Sequence, residues 1–295
     1  MNDTIVRAVA CNGKIRIVGC TTTRLCEVAR QQHDLWPTSA AALGRVLTMT
    51  AMMGCMEKRE DQKVTVQING GGAIGTIMTE GWGNGHVRGF VSDPHQHLIY
   101  NDSGKLAVGL VVGTSGYLRV TRDLGLKDVF TSQVDLQSGE IGDDFAYYYT
   151  VSEQTPSAIS LGVLVDPDNS VCAAGGLLIQ IMPDACEEDI VMAEQVIAKL
   201  RPVSSMVLEG MNAQDLVRFC FEEVEILDEK PLQWYCNCSH ERFYRSLCML
   251  KASDILEVIE EDRGCEVVCE FCNQAYQYSE KELCSIVELQ DVCGK

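Results

Sequence analysis

Two closely spaced pairs of cysteines near the C-terminus constrain this chain most. They are Cys236-Asn-Cys238 and, about thirty residues later, Cys269-Glu-Phe-Cys272. Two such pairs on either side of a short folded segment are the usual way to place four thiolates around a tetrahedral zinc ion. Each pair binds from one tight turn, and the residues between the pairs bring the two turns together. The spacing therefore predicts a four-cysteine metal site holding one Zn²⁺ per chain.

The residues around the cysteine pairs have the pattern of a small domain. Two stretches between the pairs, 239–250 and 253–261, each have a helical pattern, and Ser279 with Glu282 forms a capping-box sequence ahead of a further helix. A domain over residues 235–295 has too little apolar core to be secure by itself, so a bound metal would contribute much of its stability.

The total of fifteen cysteines is odd, which fits poorly with a closed set of disulfides. The first 23 residues are charged throughout and contain no apolar stretch before a small-residue cleavage site, so we expect no secretory signal. No apolar run is long enough to span a membrane. We therefore expect reduced thiols and a cytoplasmic location. The net charge of -18 repels phosphate backbones, so neither nucleic acid nor a membrane is an expected partner.

Charge and cysteine are distributed unevenly along the chain. Residues 1–183 contain 18 acidic and 14 basic side chains, a net charge of -4, whereas residues 184–295 contain 24 and 10, a net charge of -14. Nine of the fifteen cysteines lie from Cys220 onward. We predict an N-terminal core domain over 1–183, an acidic helical linker over 184–234 and the C-terminal zinc domain from residue 235.

The hydrophobic pattern predicts an α+β fold. In the N-terminal part, a helix begins at Pro37 and continues to about Gly54, and short β-rich runs indicate a mixed α/β core with a largely antiparallel sheet. The predicted strands are 15–18, 64–68, 74–79, 87–91, 117–121, 129–136 and 171–182. From residue 184 the period changes to 3.6, which predicts a helix over about 187–200 and another from Asn212. The acidic stretch 222–229 has few apolar anchors and is interpreted as part of a helical connector.

A four-cysteine site can be a simple structural staple, and most such sites are. However, thiolates bound to zinc are already deprotonated and can still be oxidised. If each pair closed on itself, the two disulfide loops would be very short and would constrain the unfolded chain little. Oxidation would then remove the large stabilisation that bound zinc provides and replace it with the small stabilisation of two short disulfide loops. This difference is the basis of a redox switch from a folded to an unfolded domain.

The arrangement of the cysteines resembles the redox-regulated heat shock protein 33 family of holdase chaperones. Four N-terminal segments resemble that family in the same order, and together with the cysteine pairs they cover nearly the whole chain. They are EGWGNGHVRGFV at 80–91, GYLRVTRDL at 116–124, YYTVSEQTPSA at 148–158 and AGGLLIQIMP at 174–183.

The resemblance implies a stress-activated, ATP-independent chaperone that is not an enzyme. The reduced, zinc-bound form is inactive in that family. Peroxide with unfolding stress, or hypochlorous acid, drives disulfides that correspond here to Cys236–Cys238 and Cys269–Cys272, with loss of zinc and unfolding of the zinc domain. The linker is then destabilised, and the exposed surface holds unfolded or oxidatively damaged client proteins, usually in a homodimer.

Two other classes of function stay open at this point. The chain could be a constitutive binding module stapled by zinc, or a thiol–disulfide oxidoreductase. Cys265 lies four residues before Cys269 and could compete as a ligand or resolving thiol, and His240 is near the site in sequence. Most of the five extra cysteines of the last third are interpreted as small apolar residues of the core, although Cys248, Cys265, Cys284 and Cys293 stay open as participants in the switch; the five are Cys220, Cys248, Cys265, Cys284 and Cys293.

Two further features are given structural interpretations. The six upstream cysteines are interpreted as ordinary buried residues. The G-x-G-x-x-G sequence at 70–75 follows a strand but continues as strand, so it indicates a hairpin turn and not a dinucleotide site.

Overall fold

The computed structural model describes residues 2–102, 104–221 and 223–293, with side chains as far as Gln290. The chain divides into two compact units, Met1–Tyr235 and Cys236–Lys295. The strands of the first unit are β1 (Thr4–Ala10), β2 (Ile15–Thr21), β3 (Lys63–Asn69), β4 (Thr76–Trp82), β5 (His86–Val91), β6 (Tyr117–Asp123), β7 (Phe130–Asp135), β8 (Ser157–Val165), β9 (Val171–Ile181), β10 (Glu225–Pro231) and β11 (Gln233–Trp234). Its helices are α1 (Thr23–His33), α2 (Pro37–Cys55), α3 (Val108–Val112), α4 (Gly142–Val151), α5 (Glu187–Lys199), α6 (Val203–Leu208) and α7 (Ala213–Cys220).

Two sheets form the frame of the first unit. One has the strand order β10-β1-β2-β9-β8, and the other has the order β11-β5-β4-β3-β6-β7. The strand pairs are antiparallel except for the short β11, which runs parallel to β5. The predicted α+β class with a largely antiparallel core is therefore confirmed.

Helix α2 lies in the middle of this unit and contacts strands of both sheets. Of its residues, only Pro37 and Arg45 are not buried, as expected for a sequence of alanine, leucine, methionine and small polar residues that has no solvated face. The hydroxyl of Thr50 pairs with that of Thr79 at 2.6 Å, so it is satisfied in the interior. A Cβ at Gly81 would lie 2.6 Å from the Thr50 carbonyl oxygen, so the close approach of β4 to α2 requires glycine there.

The segment 184–234 forms three helices and two strands, of which β10 joins the five-stranded sheet and the short β11 joins the six-stranded sheet. Helix α5 begins after Cys186, and α7 begins after Asn212, whose side chain accepts a bond from the Asp215 amide at 3.0 Å. The structure differs from the predicted helical connector at its end, where Glu225–Pro231 form strand β10. The reason is that alternate side chains of this stretch are half-buried and its backbone pairs with the free edge of β1. Whether 184–234 behaves as a separate linker stays a prediction.

The second unit has the helices α8 (His240–Leu247), α9 (Ala252–Asp262) and α10 (Glu280–Cys293) and the antiparallel pair β12 (Gly264–Val268) and β13 (Ala275–Ser279). Its fully buried apolar core is small and consists of Ile255, Tyr278, Leu283 and Ile286. The predicted capping box is confirmed, because the Ser279 amide donates to Glu282 Oε2 at 2.9 Å and the Glu282 amide donates to Ser279 Oγ at 3.4 Å.

Candidate metal centre

A tight turn between β12 and β13 presents the second cysteine pair. The amides of Cys272 and Asn273 both donate to the Cys269 carbonyl, at 3.2 and 2.7 Å, and the Cys269 amide donates to the Gln274 carbonyl at 3.0 Å. Asn273 adopts a φ of 54°, the left-handed conformation that asparagine tolerates and that closes the turn. The turn therefore directs two thiols to one side of the hairpin from residues three apart.

The first cysteine pair lies just before α8. Ser239 caps this helix, because its hydroxyl accepts the Arg242 amide at 3.2 Å. The cap fixes where the extended chain ends, one residue after Cys238, and so holds the pair next to the hairpin turn. Ring packing supports the same arrangement, since Phe243 of α8 lies 5.4 Å from the Tyr276 ring of β13.

The four predicted ligands come together. All four sulfur atoms lie within 4.8 Å of one another. Cys236 Sγ lies 3.7 Å from Cys269 Sγ, and Cys238 Sγ lies 3.3 Å from Cys272 Sγ. A zinc ion with zinc–sulfur bonds of about 2.3 Å would separate its four sulfurs by about 3.8 Å. The group could therefore hold a metal ion with little rearrangement.

The electrostatics of the group favour a bound cation. Cys269 and Cys272 are buried, with 4% and 8% of their surface exposed. Burial raises the pKa of both thiols, so the neighbouring thiols cannot all ionise there without a compensating positive charge. A soft divalent cation supplies that charge, and thiolates are the ligands that zinc accepts in such sites.

Tyr276 is a functional neighbour that the sequence analysis missed. Its hydroxyl donates to Cys238 Sγ at 3.2 Å, and this bond raises the pKa of the tyrosine. No sequence signal marks it, because the contact depends on the register of β13 against β12.

The His240 side chain contacts residues of β13 and α10. Its Nε2 is 3.2 Å from the Gln277 carbonyl oxygen and 3.4 Å from Glu282, and its ring stacks on Tyr278 at 4.3 Å.

The other cysteines of the last third have separate surroundings where their side chains are described. Among the described residues, the four-sulfur group does not include Cys265, which lies on β12 opposite Tyr278 and packs against the small core. Cys220 is buried in the first unit, and burial raises its pKa to about 12. Cys248 and Cys284 are half-buried. The side chain of Cys293 lies outside the described residues.

The interpretation of the upstream cysteines is partly wrong. Cys20, Cys26 and Cys55 are buried as expected, and burial raises the pKa of Cys26 to about 12, whereas Cys11 and Cys172 are only half-buried. Cys186 is exposed instead, because it occupies the position before α5 at the surface. Only the path of the chain after β9 determines this exposure.

The glycine-rich stretch 70–75 forms the connection between β3 and β4, as predicted. Gly71 and Gly75 have φ values of 73° and 70°, and β3 pairs antiparallel with β4 across the turn. Within the described part of the chain, no helix is both long and apolar enough to cross a membrane.

The fold and the site together define a class: an α+β protein with a C-terminal unit built around four converging cysteine thiols. A family model described as "Hsp33 protein" matches residues 3–279. The chain is 46% identical over 288 residues to the 33 kDa chaperonin of Staphylococcus carnosus, covering 97% of this chain and 98% of the relative. It is 45% identical over 282 residues to that of Bacillus licheniformis, covering 95% and 97%.

A solved structure agrees with these sequence matches. The crystal structure of the 33 kDa chaperonin, a heat shock protein 33 homologue, from Thermotoga maritima superposes with a TM-score of 0.90 at 34% identity. The match covers 99% of this chain and 100% of that structure. The chain therefore belongs to the Hsp33 family of chaperones.

Proposed function

We propose that this chaperone is a redox-regulated, ATP-independent holdase and not an enzyme. The observation that carries the proposal is the convergence of four cysteine sulfurs within 4.8 Å in a unit whose own apolar core is small. Membership of the Hsp33 family and relatives named chaperonins support the chaperone part of the proposal. We also propose that the protein works in the cytoplasm, where its thiols start reduced.

In the reduced state, the metal ligands are Cys236, Cys238, Cys269 and Cys272, and the cofactor is one Zn²⁺ per chain. The ion, when bound, supplies positive charge that keeps four thiolates together in a partly buried place. The hairpin turn and the α8 cap hold the two pairs in position. The Tyr276 hydroxyl donates to Cys238 Sγ, which lowers the electron density of that sulfur and slows its reaction with oxidants.

Oxidation converts the ligands into two disulfides, which we assign as Cys236–Cys238 and Cys269–Cys272. In each pair, one thiolate attacks peroxide, the O–O bond breaks, hydroxide leaves and a sulfenic acid forms. The second thiol then attacks that sulfur, and the oxygen leaves as water. Contacts between sulfurs of different pairs also occur in the cluster. We assign pairing within each pair because the resemblance to the Hsp33 family implies it, and separations of two and three residues keep the two cysteines of each pair close in an opened chain.

Loss of the ligand set leaves the second unit with its small core alone, so the unit unfolds. We propose that residues 184–234 are then destabilised and expose surface that binds unfolded or oxidatively damaged proteins, with a homodimer as the oxidised form. The net charge of -14 over residues 184–295 keeps such an opened chain soluble through self-repulsion.

The decisive experiment measures zinc release and suppression of the aggregation of a model client, before and after peroxide at mild heat. The proposal requires zinc to be released and activity to appear together. Retained zinc with equal activity in both states would identify a constitutive zinc-stapled binding module. Catalytic turnover with a small dithiol would identify a thiol–disulfide oxidoreductase.

A further inference from the structure

A second group of sulfur atoms lies in the first unit, between the turn that joins β1 to β2 and the start of α5. Cys11 occupies the turn with a φ of 52° and is half-buried. Cys186 is exposed and directly precedes α5. The two are brought together because the start of β2 pairs with the end of β9, and Met182 donates its amide to the Lys14 carbonyl at 2.9 Å.

Both thiols lie beside the first turns of α5. Cys186 Sγ donates to Asp189 Oδ2 at 2.9 Å, and Cys11 Sγ lies 3.6 Å from Met192 Sδ, one helical turn after Asp189. Burial raises the pKa of the Cys11 thiol, and the charges of Asp189 and Cys186 raise it further. The two thiols are therefore close enough to interact electrostatically across one carboxylate.

A lysine completes the group. Lys14 Nζ lies 3.7 Å from Cys186 Sγ and 3.0 Å from Asp189 Oδ2. Lys14 therefore lies beside the Cys186 thiol, and the exposure of this thiol gives oxidants access to it. Cys186 also directly precedes the first turn of α5, where the helix dipole places partial positive charge.

Cys11, Lys14 and Cys186 contact α5, a helix that buries few of its own side chains. Only Asp189 and Ala193 of α5 are buried, while Val191, Met192 and Ile197 are exposed. A covalent bond at the start of α5 would therefore change how easily this helix leaves the sheet.

We propose that Cys11 and Cys186 form a disulfide under peroxide, which tethers α5 to the β1–β2 turn. The Cys186 thiol loses its proton to water, and the thiolate attacks peroxide; the O–O bond breaks and hydroxide leaves, giving a sulfenic acid. The Cys11 thiol then attacks the sulfenic sulfur, its proton and the sulfenic oxygen leave as water, and the S–S bond forms. Two electrons pass from the thiols to one peroxide. The bond limits how far the chain after residue 186 separates from the sheet in the oxidised protein.

Peptide mapping of the full chain tests the bond directly. After peroxide treatment and alkylation of free thiols, trypsin releases Ala8–Lys14, and cleavage before aspartate releases Asp184–Glu188. The proposal expects these two peptides joined, and dithiothreitol separates them. Cys11→Ser must abolish the joined species, whereas Cys172→Ser, which alters another half-buried thiol of the same unit, must not. Absence of the joined species in oxidised wild type, or an equal yield of Cys186 joined to Cys172, overturns the proposal.

Two further measurements separate a switch from an accidental bond. Lys14→Gln should slow sulfenic acid formation at Cys186 by roughly two- to fivefold, the range expected of an exposed charge pair. Amides of α5 should exchange with deuterium more slowly in oxidised wild type than in oxidised Cys11→Ser, with no difference between the reduced forms. Equal exchange in the oxidised forms would overturn the tether. Zinc release, measured in the same samples, reports on the C-terminal site alone, so failure of one proposal is distinguishable from failure of the other.

Discussion

Replacing Cys269 by serine should remove tight metal binding and unfold the second unit while leaving the first unit folded. Cys269 is the most informative ligand to change because it is 4% exposed and its carbonyl accepts two of the amides that close the turn. The serine hydroxyl keeps the size of the side chain but is not a thiolate, so the four-sulfur group loses one ligand.

The expected size of the effect follows from the small core. Among the side chains described as far as Gln290, four are fully buried there, and burial of each contributes about 1.5–3 kcal/mol before the cost of ordering the chain. A domain of this size rarely retains more than about 3–5 kcal/mol from its core. A structural zinc site contributes about 10–16 kcal/mol. Without a staple the net stability of a core this small comes out near zero, so loss of the zinc contribution leaves residues 236–293 mostly unfolded.

The assay combines metal stoichiometry by mass spectrometry with hydrogen exchange of the full chain. Amides of β12 and β13 should lose their protection, while those of α2 keep it. Cys265→Ser is the matched control, because this cysteine lies on the same strand but outside the four-sulfur group; it should retain the metal and change stability by about 1 kcal/mol. A Cys269→Ser protein with unchanged metal content and a protected hairpin would refute the reasoning.

Three further predictions concern single side chains. Tyr276→Phe removes the hydrogen bond to Cys238, which is worth about 0.5–1.5 kcal/mol, and should therefore speed peroxide-driven zinc release about two- to tenfold. Tyr278→Phe, which removes a hydrogen bond to the His240 carbonyl instead, should not speed it. Stopped-flow detection of free zinc measures both rates, and equal rates in the two variants would contradict the argument. Burial raises the pKa of Asp3 from 3.8 to about 6. Between these two pH values the folded first unit binds more protons than the unfolded chain. Its free energy of unfolding should therefore fall by on the order of 2–3 kcal/mol as the pH rises through this range. Asp3→Asn should flatten this dependence in urea unfolding at pH 4.5 and 7, and an unchanged slope would show that Asp3 does not cause it. Asp144→Ala leaves four backbone amides without their hydrogen-bond acceptor, the Asp144 carboxylate. The free energy of unfolding of the first unit should fall by at least about 3 kcal/mol in the same assay, and a decrease below about 1 kcal/mol would contradict this.

The elements with strong local signals were predictable. Helix α2 begins at Pro37 because proline suits the first helical turn, and the Ser279 capping box begins α10 because its two bonds close within four residues. The elements that were predicted wrongly depend on pairing with residues far away in the sequence. The acidic stretch at Glu225–Pro231 becomes a strand only because the edge of β1 is available to it.

The candidate metal site also combines contacts that the sequence predicted with contacts that only the tertiary structure decides. The spacing of the two pairs predicted that Cys236, Cys238, Cys269 and Cys272 would meet, and the sulfurs lie within 4.8 Å of one another. The sequence could not decide the part played by Cys265, because a separation of four residues allows either a ligand or a core residue. The hairpin register decides it by pairing Cys265 with Tyr278.

By itself, the sequence determined the α+β class and the identity of the converging thiols, since these follow from periodicity and spacing along the chain. The family followed from the resemblance of whole segments to the heat shock protein 33 family. The tertiary structure alone decided which side chains contact those thiols and beside which elements the other cysteines lie. Tyr276 reaches Cys238 through strand register, and Cys11 reaches the start of α5 because β2 pairs with β9. Such contacts join residues far apart in sequence, and no local pattern encodes the backbone pairing that brings them together.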